Sequence, residues 1–263
     1  MAYAEIDPVQ LMRLIGTPDA PVVLDLRLPE DLAADAMLIP TSICQQAADL
    51  TAAEWQGRHV VVVCQRGRKI SQGAAALLRL EGVKAEVLSG GTESWRAAGL
   101  PVIPVKWATP AALWVTRHRP KVDRIACPWL IRRFVDPAAR FLFVPPGDVL
   151  AVAEKFGAIP FDIEDTFWTH RGAGCTFDTM LAEFGLQTEA LERLALLIRG
   201  ADTDAHDLAP QAAGLLAFSV GLSRAYRDDL AQLDAAMALY DALYRWARDG
   251  FDEGHDWPAA RKT

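Results

Sequence analysis

One of the four cysteines stands at the start of a short basic loop that contains a glycine. The loop reads Cys64-Gln65-Arg66-Gly67-Arg68-Lys69 and directly follows the run His59-Val60-Val61-Val62-Val63. The backbone N–H groups of such a loop, together with the start of a following helix, favour an anion, and the basic side chains add positive charge. Both effects stabilise a thiolate, the nucleophilic form of cysteine. The loop therefore predicts that Cys64 is a reactive thiolate and that residues 65–69 bind an anion.

A structural role is the alternative for Cys64, because many free cysteines are simply small apolar residues. The combination of a β-branched run, a basic loop and a helix favours the reactive interpretation. A thiolate in an anion site can accept the outer sulfur of thiosulfate or of a persulfide and pass it to a second thiophile. The predicted partners are thus a small sulfur-containing anion or persulfide donor and a thiol acceptor, and this chemistry requires no cofactor.

The elements around the loop follow a strand, loop, helix, strand order. Val22–Leu26, His59–Val63 and Ala85–Leu88 are short runs of the kind found in buried parallel strands. Apolar residues at helical spacing between Ile70 and Leu78, followed by Gly82, predict a helix and its end. Parallel sheets bind ligands at the carboxyl ends of their strands, where the Cys64 loop would lie.

Asp25 and Arg27 follow the first predicted strand and are expected at the same sheet edge. They are candidates for the anion site, where they would orient the loop. We favour a buried ion pair, because buried charges are normally paired.

Several segments of this half resemble rhodanese-like sulfurtransferase domains over residues 5–105. The matching segments are Val23-Leu24-Asp25-Leu26-Arg27-x-x-Glu30, Leu38–Ile43, the loop Cys64–Lys69, and Ser89-Gly90-Gly91-Thr92-Glu93-Ser94-Trp95 followed by Gly99-Leu100-Pro101. The resemblance implies an α/β domain with a parallel sheet flanked by helices, and persulfide formation on Cys64. Leu38, Thr41 and Lys69-Ile70 depart from the usual pattern. A related phosphatase would need an arginine where Ile70 stands, so phosphate-ester chemistry is disfavoured.

Length and composition indicate a folded protein of two domains. The chain has 263 residues with a net charge of −7, more than one core usually needs. We predict domains at 1–105 and 113–263 with a proline-containing linker at 106–112. The absence of a signal-peptide pattern or an apolar span, together with scattered cysteines, predicts a cytoplasmic protein with no membrane association.

The second domain is expected to be mostly α-helical with some strands, an α+β fold. Trp114–Thr116 and Phe141–Val144 look like strands, Pro128–Phe134 like a helix, and the remainder becomes helical. Positive charge is concentrated in residues 106–147, where Arg117, Lys121 and Arg124 are candidates for binding an anion. The alternative is a helix with a solvated basic face. The acidity of the rest of the chain makes nucleic-acid binding unlikely.

Three residues of the second domain are candidate ligands of a transition metal such as zinc. His170 and Cys175 lie in a glycine-containing stretch near Asp162 and Asp178, and Cys127 is able to join them. A buried cysteine and an ordinary histidine are the alternative. The acidic turn 199–207 is expected to cap a helix near Pro210, with cation binding as the second option.

The second half closely resembles the C-terminal domain of the chromate-resistance ChrB family over residues 112–250. The resemblance rests on Arg119–Phe134, Gly174–Asp178, Arg199–Asp202 and Asp241–Trp246. It implies a role in chromate sensing or resistance, with chromate as a possible ligand. Some members are transcriptional regulators with a different N-terminal region, so DNA binding does not carry over. We expect a sulfurtransferase coupled to an oxyanion- or metal-binding domain; the alternative is a non-catalytic chromate or redox sensor or a transcriptional regulator.

Overall fold

The computed structural model of the protein describes residues 4–254. The N-terminal half alternates strands and helices. Its strands are β1 (Glu5–Ile6), β2 (Val22–Asp25), β3 (Met37–Leu38), β4 (Ser42–Cys44), β5 (His59–Val63), β6 (Lys84–Leu88) and β7 (Ile103–Pro104), and its helices are α1 (Pro8–Leu14), α2 (Pro29–Ala34), α3 (Lys69–Leu80) and α4 (Gly91–Ala97). Five strands form a parallel sheet in the order β1-β6-β5-β2-β4, and β3 pairs with β7 in an antiparallel ribbon.

The four valines of β5 explain why this strand lies at the centre of the sheet. Val60 and Val62 face the cluster that contains residues of α3, whereas Val61 and Val63 face the cluster on the opposite side. All four are buried, as expected for a strand covered on both faces. The predicted α/β sheet and the helix after the Cys64 loop are therefore confirmed, with Gly82 just past the end of α3 at φ 84°.

The C-terminal half is rich in helices and contains some strands, as predicted, and these strands form a small parallel sheet. Its elements are β8 (Leu113–Arg117), α5 (Asp123–Leu130), β9 (Arg140–Val144), α6 (Val149–Phe156), β10 (Ile159–Pro160), α7 (Thr176–Phe184), α8 (Glu189–Asp202), α9 (Ala212–Ala225) and α10 (Asp229–Asp249). The sheet has the order β10-β8-β9. None of the helices between residues 4 and 254 has the length and apolar character needed to cross a membrane.

The helix predicted at Pro128–Phe134 begins earlier than the sequence indicates. Helix α5 starts at Asp123 and contains Pro128 in its interior, and a π-helical turn, Ile131–Val135, continues it. Proline is favoured at a helix start, so Pro128 is an unusual residue for the interior of α5. Inside a helix it lacks the N–H that would bond to the carbonyl of Arg124. The π-helical turn Ile131–Val135 is wider than an α-helical turn, which is compatible with the missing hydrogen bond at Pro128.

The two halves share one apolar core. The cluster on the Val61 face of the first sheet continues into α5, α8 and α10 of the second half. Gly16 lies so close to this junction that an added Cβ would stand 2.3 Å from Phe134. Trp107, in the segment predicted as a linker, donates its indole N–H to the Glu183 carbonyl at 3.0 Å and packs against Trp168. This segment is thereby held against the C-terminal half.

Candidate functional site

The Cys64 loop, residues 64–69, lies at the carboxyl end of β5 and leads directly into α3. Its shape is fixed by α4, whose backbone N–H groups at Thr92 and Glu93 donate to the carbonyls of Cys64 and Gln65, both at 3.1 Å. The C=O and N–H of a trans peptide point in opposite directions. The N–H groups of Gln65 and Arg66 therefore point away from α4, and the N–H of Arg66 bonds to the Cys64 sulfur.

Two glycines allow the loop and α4 to approach each other. Gly67 has φ 63°, and a Cβ there would stand 2.5 Å from the Leu88 carbonyl oxygen. Gly91 also has φ 63°, and its Cβ would stand 2.1 Å from the Cys64 carbonyl oxygen. Both distances are too short for any side chain, so the basic loop and the Gly90-Gly91 pair form one unit.

The Cys64 sulfur lies beside a serine from the first turn of α3. Its Sγ is 3.1 Å from Oγ of Ser71, and Ser71 Oγ is also 3.0 Å from the Arg68 carbonyl oxygen. The single hydroxyl hydrogen can serve only one of them, and a charged thiolate is the stronger acceptor. Burial opposes ionisation of Cys64, but hydrogen bonds from Ser71 and from the backbone at Arg66 and Arg68 outweigh it, so the pKa of the thiol lies below its ordinary value.

The charged side chains of the loop stand at its rim. Arg66, Arg68 and Lys69 are exposed, and Arg66 pairs with Glu93 at 3.0 Å. Together with Gln72 and Ser89 they line an open pocket of about 480 Å³. Glu5 adds one carboxylate to this pocket, where it accepts hydrogen bonds from Gln72 and Ser89. Four of the five loop residues predicted to bind an anion, Arg66, Gly67, Arg68 and Lys69, thus line one pocket. Gln65 instead contacts Thr92 and Glu93, and Cys64 is not among the lining residues.

Asp25 and Arg27, named as anion-site candidates with a buried ion pair as the favoured alternative, are paired with each other and not with the loop. They form a buried ion pair with 2.8 Å between Arg27 Nη2 and Asp25 Oδ2, and their side chains are 1–2% exposed. The remaining guanidinium donors reach the carbonyls of Asp35 and Met37 at 3.2 and 2.7 Å. Every part of the guanidinium is used inside the fold, so this pair anchors the segment before β3 instead of contacting an anion.

In the second domain, two of the three predicted anion-binding residues converge on one carboxylate. Arg117 and Arg124 lie 2.7 and 3.2 Å from Oδ2 of Asp162. Lys121 is half-buried and does not share this contact. Two further arginines of the basic segment form ion pairs. Arg132 lies 3.1 Å from Asp234, and Arg133 lies 2.7 Å from Asp241. Much of its positive charge is therefore neutralised internally.

Asp162 also belongs to a cluster centred on His170. Nε2 of His170 lies 3.5 Å from Asp123 Oδ2, 3.3 Å from Asp162 Oδ1 and 3.3 Å from Asp202 Oδ2. One ligand atom each from Asp123, Asp162 and His170 lies within 4.8 Å of the other two. Backbone and hydroxyl of Thr176 hold Asp123 and Asp162 in place, at 3.1 Å each. Two carboxylates and an imidazole at this spacing suit a divalent transition-metal ion.

Burial and mutual repulsion shift the ionisation of this cluster. Contacts with Asp123 and Asp162 raise the pKa of His170 to about 10. Burial, followed by repulsion from Asp123 and Asp162, raises the pKa of Asp202 to about 7, and burial also raises the pKa of Asp123. Asp162 is buried as well, but His170 and Arg117 outweigh that effect and lower its pKa. The cluster therefore holds three carboxylates around a protonated His170, with Arg117 and Arg124 also against Asp162.

The two cysteines predicted as metal ligands are not part of this group. Cys127 and Cys175 are fully buried, and burial raises the pKa of both thiols above the ordinary value. The Cys175 side chain instead accepts from the backbone at the start of α7, where Asp178 completes the cap. Of the three residues predicted as metal ligands, Cys127, His170 and Cys175, only His170 belongs to the cluster with Asp123 and Asp162.

Three residues that contact the predicted site residues were not predicted as part of a site. Ser71 contacts Cys64, and Asp123 and Asp202 contact His170. Ser71 directly follows Lys69-Ile70, and its place in the first turn of the predicted helix was an available signal. Asp123 lies inside the long motif Arg119–Phe134 but was not singled out. Asp202 was expected to serve helix capping; it contacts His170 instead, and α9 begins without a side-chain cap.

Comparison with known proteins places both halves in families. The family model described as the ChrB C-terminal domain matches residues 114–247, and the model of the rhodanese-like domain matches residues 7–98. Protein ChrB of Cupriavidus metallidurans is 38% identical over 132 residues, which is 50% of this chain and 39% of that protein. The match thus spans about two fifths of that relative's length.

Two solved structures are similar to the N-terminal part. A rhodanese-related protein from Thermoplasma volcanium is 28% identical, covering 38% of this chain and 98% of that one, with a TM-score of 0.33. A thiosulfate sulfurtransferase from Pseudomonas aeruginosa is 30% identical, covering 38% of this chain and 19% of that one, also with a TM-score of 0.33. From the two family matches, the chain belongs to the ChrB C-terminal domain family and carries a rhodanese-like domain before that domain.

Proposed function

We propose that the protein is a sulfurtransferase that carries sulfur as a persulfide on Cys64. The observation that carries this proposal is the position of the Cys64 sulfur, 3.1 Å from the Ser71 hydroxyl at the start of α3, where backbone N–H groups at Arg66, Arg68 and Ser71 also bond to it. This arrangement stabilises negative charge on the sulfur both before and after transfer. It supports a thiolate nucleophile that is regenerated in each cycle.

The reaction balances in two displacements at sulfur. The Cys64 thiolate attacks the outer sulfur of thiosulfate; the S–S bond of thiosulfate breaks, sulfite leaves with the bonding electron pair, and Cys64 becomes a persulfide anion. A thiolate or cyanide then attacks the outer sulfur of that persulfide. The Cys64–sulfur bond breaks, and the Cys64 thiolate returns with its electron pair.

The rim of the loop supports a small anionic donor. Arg66, Arg68 and Lys69 present positive charge to the open pocket, which suits thiosulfate before transfer and sulfite as it leaves. Because Arg66 forms an ion pair with Glu93, we propose that Arg68 and Lys69 are the side chains that contact the sulfur donor.

The test is thiocyanate formation from thiosulfate and cyanide by the purified full-length chain. We expect turnover in wild type, none in Cys64→Ala, and unchanged turnover in Cys44→Ala, since Cys44 is the exposed cysteine outside the loop. Absence of turnover in wild type, or equal turnover in Cys64→Ala, would refute the proposal that the protein is a sulfurtransferase acting through Cys64. A wild type that binds thiosulfate without releasing sulfite would support the non-catalytic sensor.

We further propose that Asp123, Asp162 and His170 hold a divalent transition metal in the second domain, with Asp202 beside them. Their ligand atoms all lie within 4.8 Å of one another, which supports this function. Equilibrium dialysis with Zn²⁺ or Mn²⁺, followed by elemental analysis, should show binding that Asp162→Asn removes. Cys175→Ser is the matched control and should retain the metal. Retention by Asp162→Asn with loss in Cys175→Ser would instead restore the cysteine-containing site.

The resemblance to the chromate-resistance ChrB family supports a role in chromate or sulfur-oxyanion stress. Chromate is similar to sulfate in charge and shape, so a site that accepts sulfur oxyanions would also encounter it. The four free cysteines support a reducing compartment such as the cytoplasm. Chromate competition in the thiocyanate assay tests this link: inhibition relieved by raising thiosulfate is expected, and indifference to chromate would count against it.

A further inference from the structure

The outer face of helix α9 (Ala212–Ala225) is apolar, and neither of the proposed activities uses it. Residues 208–223 carry no charged side chain. One side of α9 packs against α8 and α10. The opposite side is exposed, and we call it the α9 face; its residues are Ala213, Gly214, Ala217, Phe218, Val220 and Gly221. A surface helix normally presents polar residues to water, so an apolar outer face indicates an interaction surface.

Large apolar side chains are exposed on the α9 face and at both of its ends. Phe218 is 63% exposed and Val220 is 41% exposed, while Leu208 before the helix and Leu230 after it are 38% and 47% exposed. Phe218 stands beside a shallow groove of about 400 Å³, which is otherwise lined by Ala217, Gly221, Leu222 and Ala225. A large side chain next to a groove of mostly small residues is self-complementary, because each copy offers the other both a ridge and a groove.

Two glycines of the α9 face have no role in packing within the chain. A Cβ added at Gly214 or at Gly221 would meet no atom within 4 Å, and neither glycine has a positive φ. Glycine inside a helix weakens that helix relative to alanine. Gly214, Ala217 and Gly221 are spaced three and four residues apart, so they lie along one side of α9. Small residues in such a row allow the backbone of a second helix to approach closely.

The exposed charges at the two ends of α9 have opposite signs. Asp204 and Asp207 precede the helix, and Arg224 and Arg227 lie at its end. His206 lies 3.6 Å from Asp204, which leaves Asp207 as the free carboxylate of the acidic end.

Two carboxylates close to the basic end are occupied within the fold. Asp228 accepts the N–H of Ala231 at 2.7 Å, as the N-cap of α10, and Asp229 accepts the N–H of Arg119 at 3.0 Å. Neither Arg224 nor Arg227 forms an ion pair within residues 4–254. These two arginines are therefore the charges that the basic end offers to a partner.

We propose that the α9 face joins two copies of this chain in a symmetric dimer, with the two α9 helices antiparallel. A two-fold axis brings the same face of both copies together. With the helices antiparallel, the basic end of each α9 lies beside the acidic end of the other. A parallel pair would instead place like charges together. Phe218, near the middle of the helix, then packs against the groove of the second copy.

The first test is the mass of the full-length protein in sedimentation equilibrium, from micromolar to submillimolar concentration. We expect wild type to reach twice the chain mass of 28.8 kDa. Phe218→Glu should remain at the mass of one chain, because it places a charge in the centre of the interface. Phe156→Glu is the matched control, since Phe156 is 65% exposed on α6, and it should dimerise like wild type.

Two outcomes of this measurement would overturn the proposal. A monomeric wild type would mean that something other than a second copy covers the α9 face. A dimer that persists in Phe218→Glu would place the contact on another surface. The readout is a mass, so the result does not depend on sulfur transfer or on metal binding.

Gly221→Ala separates close packing from helix stability. Alanine is the better helix former, so in the monomeric Phe218→Glu background it should raise the thermal midpoint. In the otherwise wild-type chain it should weaken the dimer by about tenfold, because the added methyl group holds the two backbones apart. Undiminished association of Gly221→Ala would contradict the packing of one α9 on another.

A charge swap tests the antiparallel orientation. Arg227→Glu should weaken the dimer, and adding Asp207→Arg in the same chain should restore it, because the opposite charges then meet again with their positions exchanged. A double variant that is weaker than Arg227→Glu alone would contradict the antiparallel arrangement.

Discussion

The Cys64 sulfur and the Ser71 hydroxyl oxygen lie 3.1 Å apart, at opposite ends of a loop that closes into the first turn of α3. Ser71 is fully buried, so water does not compete for its hydroxyl. The contact joins the nucleophile to the helix start that stabilises its charge. Reactivity of Cys64 should therefore respond to Ser71 more than to the exposed arginines at the rim.

Removing the Ser71 hydroxyl should raise the pKa of Cys64. In wild type the pKa of Cys64 lies below its ordinary value. The pKa of Cys44 lies above its ordinary value, because its sulfur is partly desolvated at the surface and lies near the Asp25 carboxylate. Alkylation by iodoacetamide requires the thiolate, so its rate at Cys64 should reach half-maximum at a lower pH than at Cys44. Ser71→Ala should move the Cys64 midpoint upward by about one pH unit. Peptide mass spectrometry resolves the two sites. The control is Ser89→Ala, whose hydroxyl contacts Glu5; coincident profiles for all three proteins would contradict the role of Ser71.

Alanine at Gly91 should disrupt the unit formed by the Cys64 loop and α4. The new Cβ would stand 2.1 Å from the Cys64 carbonyl oxygen, in addition to the strain of φ 63°. We expect a loss of roughly 3 kcal/mol or more in the free energy of unfolding, measured in urea. Gly82→Ala is the matched control, because φ is 84° there and no atom lies within 4 Å of the added Cβ. It should lose only about 1–2 kcal/mol. Equal losses at the two positions would show that the close approach of loop and α4 is unimportant.

Replacing Arg27 tests whether the Asp25–Arg27 pair is structural. Arg27→Leu leaves Asp25 buried without its partner, and breaking such a pair typically costs about 3–5 kcal/mol. Urea unfolding should show this loss, while the folded protein keeps its Michaelis constant for thiosulfate. Arg66→Ala, which removes an exposed arginine from the loop, should leave stability unchanged. An increase in the Michaelis constant without loss of stability in Arg27→Leu would return this pair to the anion site.

The first domain was largely predictable because its signals are local. The valine run of β5, the basic glycine loop and the helix ending before Gly82 follow one another along the chain, so their order defines the site. The orientation of the loop was not predictable in the same way. It depends on Thr92 and Glu93, which reach the Cys64 loop only after the chain has passed through α3 and β6.

The cluster around His170 in the second domain was not predictable, because its residues come from four separate segments of the chain. Asp123, Asp162, His170 and Asp202 meet only in the folded chain, and no fixed spacing links them. Because Cys175 is close to His170 in the sequence, the two were predicted to bind a metal together. In the structure Cys175 is the buried N-cap residue of α7. Likewise, the basic run is not an open anion surface, because Asp162, Asp234 and Asp241 pair with its arginines.

The most direct test of the central claim is the mass of the protein after incubation with thiosulfate alone, without an acceptor. Intact-protein and peptide mass spectrometry under non-reducing conditions should show the gain of one sulfur atom on the peptide that contains Cys64, reversed by cyanide and absent from Cys64→Ala. A wild-type protein that stays unmodified at Cys64, or that gains the sulfur on Cys44 instead, would contradict the assignment of Cys64 as the sulfur carrier.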